Sequence, residues 1–295
     1  MRKFLYVTLM VAVILTGCLD PCRGQQSQHG NVLFRQIPQE ADSEHLFNVQ
    51  VSSETVTITG CIGRYTDIWI PALVREMPVT AIADNAFIGG RWVSSRSPFS
   101  RCAEFVTGRQ LTSVIIPDSV TSIGHGAFAH NKLSSVVIPN SVIDMGWGVF
   151  SDNRLTSAII SNGVTSISPG TFSDNQLTDI IIPDSVTYIG TNAFAENRLT
   201  SITIPGSVTE IGGWAFMNNK ISQVIIPDNV NISRLAFSGN KITHISIGNN
   251  VTLEEWPLDL TAGGFSLAFA ELYESQGRAA GTFVYSEGIW NFQPR

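Results

Sequence analysis

The chain has 295 residues, enough for one large domain or two small ones. Its composition, 43% hydrophobic and 14% charged, excludes a disordered tail protein. The net charge of −6 and the acidic isoelectric point near 5.3 argue against nucleic acid as a partner.

The first residues have the order of an export signal. The positive pair Arg2–Lys3 precedes an apolar run at 4–15, which is too short to span a bilayer as a helix. The "LTGC" at 15–18 resembles the lipobox of bacterial lipoproteins. This resemblance implies that residues 1–17 are a signal peptide and that the Cys18 thiol carries diacylglycerol, a membrane anchor. The alternative is an ordinary cleaved signal in which the cysteine is a coincidence.

Residues 18–31 are polar, with proline and glycine, and we interpret them as a flexible tether. If Cys18 carries lipid, Cys22, Cys61 and Cys102 remain, and at most one intrachain disulfide can form among them. None of these pairs has the C-x-x-C spacing of a zinc site, so we expect no metal there.

The centre of the chain repeats itself. The stretch "LTSVIIPDSVTSIGHGAF" at 111–128 returns as "LSSVVIPNSVIDMGWGVF" at 133–150, an offset of 22 residues. Five steps of the series have this length and the last has 21. Three kinds of residue keep the spacing: the leading aliphatics Leu111, Leu133, Leu155, Leu177, Leu199, Ile221 and Ile242; the aromatics Phe128, Phe150, Phe172, Phe194, Phe216 and Phe237; and the amides Asn131, Asn153, Asn175, Asn197, Asn219 and Asn240.

Each copy has the elements of one small structural unit. "LTSVIIP" alternates as a strand does, and Pro117 ends it because proline has no N–H for a ladder. Gly124 permits a bend that is closed to other residues, Phe128 fills the interior, and Asn131 satisfies backbone groups at the closing turn. One unit cannot bury its apolar residues alone, so we expect stacked copies, a solenoid with a parallel sheet down one side. The third copy departs from the pattern at Ser161 and Ser168.

"VTSIGHGAF" followed by "LTSVIIPDSV" resembles the BspA-like leucine-rich repeat family of bacterial surface proteins. The resemblance implies a leucine-rich-repeat solenoid, mostly β with short turns, with an N-terminal β cap and a small C-terminal α+β cap. It places the N-terminal cap at 32–64, the repeats at 65–256 and the C-terminal cap at 257–295. Within the last cap we expect a helix near 266–276 and a hairpin over 282–290.

An insertion at 88–110 separates Phe87 from Leu111, where other copies need four residues. Insertions in solenoids form loops on one face, often the binding face. We interpret the insertion as a candidate recognition loop, because arginine and tryptophan are favoured at binding hot spots. The alternative is a tolerated surface loop whose aromatic residues pack on the next coil. The candidate binding residues in this insertion are Arg91, Trp92, Arg96 and Arg101.

A second candidate surface follows from the strand alternation. Ile115 lies between framework residues Val114 and Ile116, so its side chain should point outward. An exposed row of aliphatic side chains is unusual for a monomer and indicates a binding surface. Two alternatives remain: β-branched residues simply favour strands, or another segment of the chain covers the row. The row predicted to bind protein consists of Ile115, Val137, Ile159, Ile181 and Ile225, with Thr203 and Ser246 at the remaining positions.

The sequence contains no nucleophile elbow and no phosphate-binding loop, and we interpret His125 and His130 as solvated turn residues. We therefore expect neither an enzyme nor a cofactor or metal. The expected function is protein binding by a lipid-anchored protein of the bacterial cell envelope, held to the membrane through Cys18. The family resemblance suggests adhesion to host or community proteins. A structural, self-associating envelope protein without a host ligand is the alternative.

Overall fold

The computed structural model describes residues 46–62, 65–89, 110–254 and 267–294. Over these residues the chain is a solenoid of short β-strands that closes with one helix and a hairpin. The predicted leucine-rich-repeat solenoid is therefore confirmed. No helix among the described residues is long and apolar enough to cross a membrane. The predicted signal peptide at 1–17, the tether at 18–31 and the lipidation site Cys18 lie outside the described residues.

The N-terminal end is a β-hairpin joined to the first coil. Strands β1 (Phe47–Val51) and β2 (Val56–Cys61) pair antiparallel, with a bulge between Asn48 and Val49. Strand β2 then pairs in parallel with β5 (Met77–Ile82), and β4 (Leu73–Val74) pairs antiparallel with β5. The hairpin thus covers the open end of the stack and continues into its sheet.

Two sets of strands run through the repeats. The first set comes from the "VIIP" segments and consists of β3 (Asp67–Trp69), β6 (Ser113–Ile115), β8 (Ser135–Ile138), β10 (Ser157–Ile160), β13 (Ser201–Thr203), β15 (Gln223–Ile226) and β17 (His244–Ile247). The second set consists of β7 (Ser122–Ile123), β9 (Asp144–Met145), β11 (Ser166–Ile167), β12 (Tyr188–Ile189), β14 (Glu210–Ile211), β16 (Asn231–Ile232) and β18 (Thr252–Leu253). Each strand that pairs with its equivalent in a neighbouring copy does so in parallel. The sequence predicts only the first parallel set; the second is a finding of the structure.

The glycine that recurs in most copies of the unit has a different role from the predicted one. Gly124 does not have a left-handed backbone; instead, a Cβ there would lie 2.4 Å from the backbone nitrogen of Asp84 in the preceding coil. At Gly146 the corresponding distance, to the nitrogen of His125, is also 2.4 Å. The glycines are therefore required because neighbouring coils approach closely. Positive φ occurs two residues later, as at Gly126 (φ 58°).

A column of stacked phenylalanine rings fills the interior. Consecutive ring centroids lie 5.0–5.8 Å apart and the ring planes differ by 4–14°. The column consists of Phe87, Phe128, Phe150, Phe172, Phe194, Phe216 and Phe237. Offset stacking of this kind adds to the hydrophobic gain of burying each ring.

Buried asparagines link each coil to the one before it. Asn175 Oδ1 accepts a hydrogen bond from Leu155 N (2.9 Å), and its Nδ2 donates to the carbonyl oxygens of Phe150 (3.0 Å) and Phe172 (3.2 Å). The same arrangement recurs at Asn131, Asn153, Asn197, Asn219 and Asn240. The predicted role in satisfying turn backbone is confirmed, and the bonds also join separate coils, which sequence alone did not indicate.

The C-terminal end closes the stack. Helix α1 (Leu267–Ser275) is followed by strands β19 (Gly281–Ser286) and β20 (Ile289–Pro294), and β19 pairs antiparallel with β17 and with β20. The buried Tyr273 hydroxyl donates to Gly248 O (2.8 Å) and accepts from Val251 N (3.1 Å), which fixes the helix to the last coil. The predicted helix and hairpin are confirmed.

Candidate functional site

The exposed face of the first strand set is built by alternation along each strand. In β8, Val136 and Ile138 are buried in the core, while Val137 between them points to solvent. The same alternation holds in β15, where Val224 and Ile226 are buried and Ile225 is exposed. Every second residue of these strands is therefore buried in the core, and the residue between them is exposed to solvent.

The outward residues form a column across the coils. We call it the apolar stripe; its side chains are between 40% and 85% exposed, and it consists of Trp69, Ile115, Val137, Ile159, Ile181 and Ile225. Strand register places Trp69 beside Ile115, and Val137 beside Ile159. The predicted outward direction of the five aliphatic members is confirmed, whereas their binding role stays a prediction.

Sequence reasoning missed Trp69, although a signal for it was present. The segment "DIWIP" at 67–71 has the same pattern as "SVIIP" at 113–117, with Trp69 where Ile115 stands. Aligning the first coil on its proline identifies this residue. The register of β3 with β6 places it at the N-terminal end of the stripe.

The stripe becomes polar toward the C-terminal cap. Thr203 and Ser246 take its positions in β13 and β17. In the cap, Thr282 and Gln293 continue the column by register. The apolar part of the column therefore lies mainly in the N-terminal half of the solenoid.

A carboxylate lies two residues from the start of the stripe. Asp67 Oδ1 accepts hydrogen bonds from Ser113 Oγ (2.6 Å) and Thr112 Oγ1 (3.0 Å). The hydrogen bond from Ser113 has the largest effect and lowers the pKa of Asp67; partial burial opposes it, and the bonds from Thr66 and Thr112 add to the lowering, so that the pKa lies below its ordinary value. A negative charge therefore borders Trp69 on the same face.

The second predicted surface was the insertion at 88–110. Arg91, Trp92, Arg96 and Arg101 lie outside the described residues, and so does Cys102. Their binding role remains a prediction. Cys61 is buried at the end of β2.

The two turn histidines make specific contacts. His130 Nδ1 lies 2.6 Å from Asp152 Oδ2, and His125 Nδ1 accepts a hydrogen bond from Trp147 N (2.8 Å). Among the described residues, no three His, Cys, Asp or Glu side chains converge as metal ligands would.

The repeat region matches the family model described as the BspA type leucine-rich repeat region. Six copies match, over residues 103–222 and 166–255. No curated protein matches the chain.

Solved structures of bacterial repeat proteins are similar to this chain. A leucine-rich cell surface protein from Faecalibacterium prausnitzii shares 23% identity, with 74% of this chain and 78% of that one covered and a TM-score of 0.35. The pneumococcal vaccine antigen PcpA shares 15%, with 70% and 82% covered and a TM-score of 0.40. A leucine-rich repeat protein of T. pallidum shares 22%, with 61% and 84% covered and a TM-score of 0.34.

Proposed function

The chain belongs to the BspA type leucine-rich repeat family, and from that premise we propose that it is a lipid-anchored protein of the bacterial cell envelope that binds other proteins through the apolar stripe. Repeat solenoids typically act as scaffolds for protein interaction, because stacked units present an extended and rigid surface. The partners we propose are proteins of a host or of neighbouring bacteria, so that the chain would serve in adhesion.

The proposal rests on one observation: the exposed stripe positions are mostly aliphatic, although the fold does not require an apolar residue there. Thr203 and Ser246 occupy the same column in regular strands, so the fold accepts polar residues there. Ile159 and Ile181 are nevertheless aliphatic and more than half exposed. Exposed apolar rows on a soluble surface are typical of interaction sites.

The proposed anchor is supported by the sequence order at the N-terminus. A positive pair, an apolar run and "LTGC" end at Cys18. Mass spectrometry of the mature N-terminus tests this: we expect a chain that begins at Cys18 and carries acyl mass. A mature chain that begins elsewhere without acyl mass would contradict the anchor and leave the binding proposal standing.

The binding test compares two full-length variants with the wild type. In the first, Ile159, Ile181 and Ile225 become Thr, the residue already present at position 203. In its control, Ile289→Thr changes another exposed isoleucine, in the C-terminal hairpin. Immobilised proteins are exposed to surface proteins of host epithelial cells, and captured proteins are identified by mass spectrometry.

We expect the stripe variant to lose the captured partner and the control to keep it. Capture should be insensitive to salt, because apolar burial is not screened, whereas binding through Arg91, Arg96 and Arg101 would weaken as salt rises. A stripe variant that folds and still captures every partner excludes the stripe as the site. Self-association of the wild type without any captured partner, lost in the stripe variant, would favour the structural role instead.

A further inference from the structure

The second strand set bears a shallow cleft of about 370 Å³ near its N-terminal end. Its base is formed by an outward column in which Ala81, Ser122 and Asp144 are adjacent by register. Later copies have the large residues Tyr188 and Glu210 in the equivalent column. Ala81 and Ser122 are small, so they leave room above two consecutive coils in this part of the column.

One side of the cleft is a column of side chains linked by hydrogen bonds. Asp84 Oδ1 accepts from His125 N (2.7 Å), and His125 Nδ1 accepts from Trp147 N (2.8 Å). Each side chain thus accepts from the backbone of the equivalent residue in the next coil. The series ends at Trp147, because its indole side chain has no hydrogen-bond acceptor. The next residue in the column, Pro169, has no backbone N–H that would need one.

The backbone of Trp147 is consequently held by its hydrogen bond to His125, while its indole ring is exposed to solvent. Its indole packs edge-on against His125 with ring centroids 5.3 Å apart, yet the residue is 65% exposed. Ile143, 67% exposed, stands where several other copies have a threonine that bonds to the preceding coil, as Thr121 and Thr187 do. Ile143 departs from the threonine of these copies, whereas the position of Trp147 varies from copy to copy, and both residues belong to the same coil.

The lining of the cleft is chiefly polar. Asp84, Asp144 and Ser122 line it together with His125, whose N–H donor is at Nε2 because Nδ1 accepts a hydrogen bond. An apolar ring face beside carboxylate acceptors and an N–H donor matches a pyranose, which has a C–H face and a rim of hydroxyl groups. A peptide hot spot would instead present a deep apolar pocket.

We propose that this cleft binds a neutral saccharide chain, with one sugar ring stacked on Trp147 and its hydroxyls bonded to Asp84 and Asp144. The site lies on the second strand set and does not depend on the apolar stripe or on its proposed protein partner. Extended oligosaccharides suit an open cleft that runs across coils, because successive sugars can meet successive coils.

The test uses the full-length protein in a detergent without a sugar headgroup. An array of neutral bacterial and host glycans, including cellohexaose, maltohexaose and chitohexaose, is screened, and the strongest ligand is titrated by calorimetry and tryptophan fluorescence. We expect binding with a Kd on the order of 1 mM or tighter, at least about tenfold weaker in Trp147→Ala, and weaker by a few fold in Asp144→Asn and Ile143→Thr.

The matched control is Trp69→Ala, which removes an exposed indole from the apolar stripe and should leave sugar binding unchanged. A wild type that binds no glycan of the array overturns the proposal. So does a ligand whose affinity is the same in Trp147→Ala. If Trp147→Ala instead abolishes capture of a protein, the cleft is a peptide site and the saccharide proposal is wrong.

Discussion

The residue before each buried asparagine has a left-handed backbone, with φ between 51° and 72°. These residues stack from coil to coil, so that Asp152, Asp174 and Glu196 form a column of carboxylates. Asp174 is the central one, and its pKa is raised, first by burial and then by the charges of Glu196 and Asp152. The native fold therefore holds this carboxylate in a place that disfavours its ionised form.

We expect Asp174→Asn to stabilise the protein at neutral pH. A carboxyl whose pKa is higher in the folded than in the unfolded state costs stability when ionised, and that cost disappears as pH falls through the folded pKa. The gain should be present near pH 7, shrink as pH falls through the raised pKa of Asp174, and be absent below about pH 4, the ordinary range of aspartate. Urea unfolding at both pH values measures it.

The comparison of the two pH values also separates charge from backbone preference. Asparagine tolerates left-handed φ better than most residues, but that effect does not depend on pH. An equal gain at both pH values would show that the raised pKa of Asp174 has no bearing on stability.

At the scale of one coil, the phenylalanine is the central packing contact. Phe194 is fully buried, and its ring centroid lies 5.5 Å from that of Phe172 and 5.4 Å from that of Phe216. Ile181, in the same coil, belongs to the apolar stripe and is the most exposed member. The two residues therefore probe opposite sides of one element.

Phe194→Ala should lower the free energy of unfolding by about 3–5 kcal/mol, because it removes a large side chain and leaves a cavity between two coils. Ile181→Thr should change it by less than about 1 kcal/mol, since the side chain lies mainly in water. Chemical denaturation of both variants measures the difference. Equal losses would contradict the assignment of Phe194 to the interior and of Ile181 to the exposed face.

The sequence predicts the first strand set better than the second. Four-residue segments such as 135–138 show alternation, whereas β7 and its equivalents are two residues long and show no period. Their pairing becomes evident only when the stacking register is known. Residues 179–182 keep the strand pattern and yet form no strand.

Prediction of the candidate sites was limited in the same way. Alternation is a local property, so it identified the five aliphatic members of the stripe, and the first coil's own pattern contained Trp69. The cleft depends on residues 22 or more positions apart, as in the bond from Trp147 N to His125 Nδ1. Only this stacking shows that Pro169, which has no backbone N–H, follows Trp147 in the column and needs no acceptor from it.

For the whole molecule, stability depends on how the ends are closed. An uncovered last coil would expose its strand edge and its interior. Here β19 pairs with β17, and the buried Phe283 contacts Phe269 with ring centroids 5.2 Å apart. Because each coil contacts only its neighbours, damage at one end should remain near that end.

Phe283→Ala should therefore increase hydrogen exchange first in the coils next to the C-terminal cap, such as 221–253. The coils at 111–172 should keep their protection, because their contacts are unchanged. Hydrogen exchange followed by mass spectrometry measures the profile, with Ile289→Thr as an exposed control in the same hairpin. Uniform loss of protection along the chain would indicate a single cooperative unit instead.

The parallel, in-register pairing of the coils has a consequence for inheritance. Because the upper and lower sides of a coil are nearly the same surface, a coding segment for 22 residues could be duplicated or lost in the middle of the stack while both caps kept their contacts. Each such event would lengthen or shorten the apolar stripe by one coil, and therefore by one stripe residue. Unequal recombination could therefore lengthen or shorten the proposed contact surface without altering its chemistry.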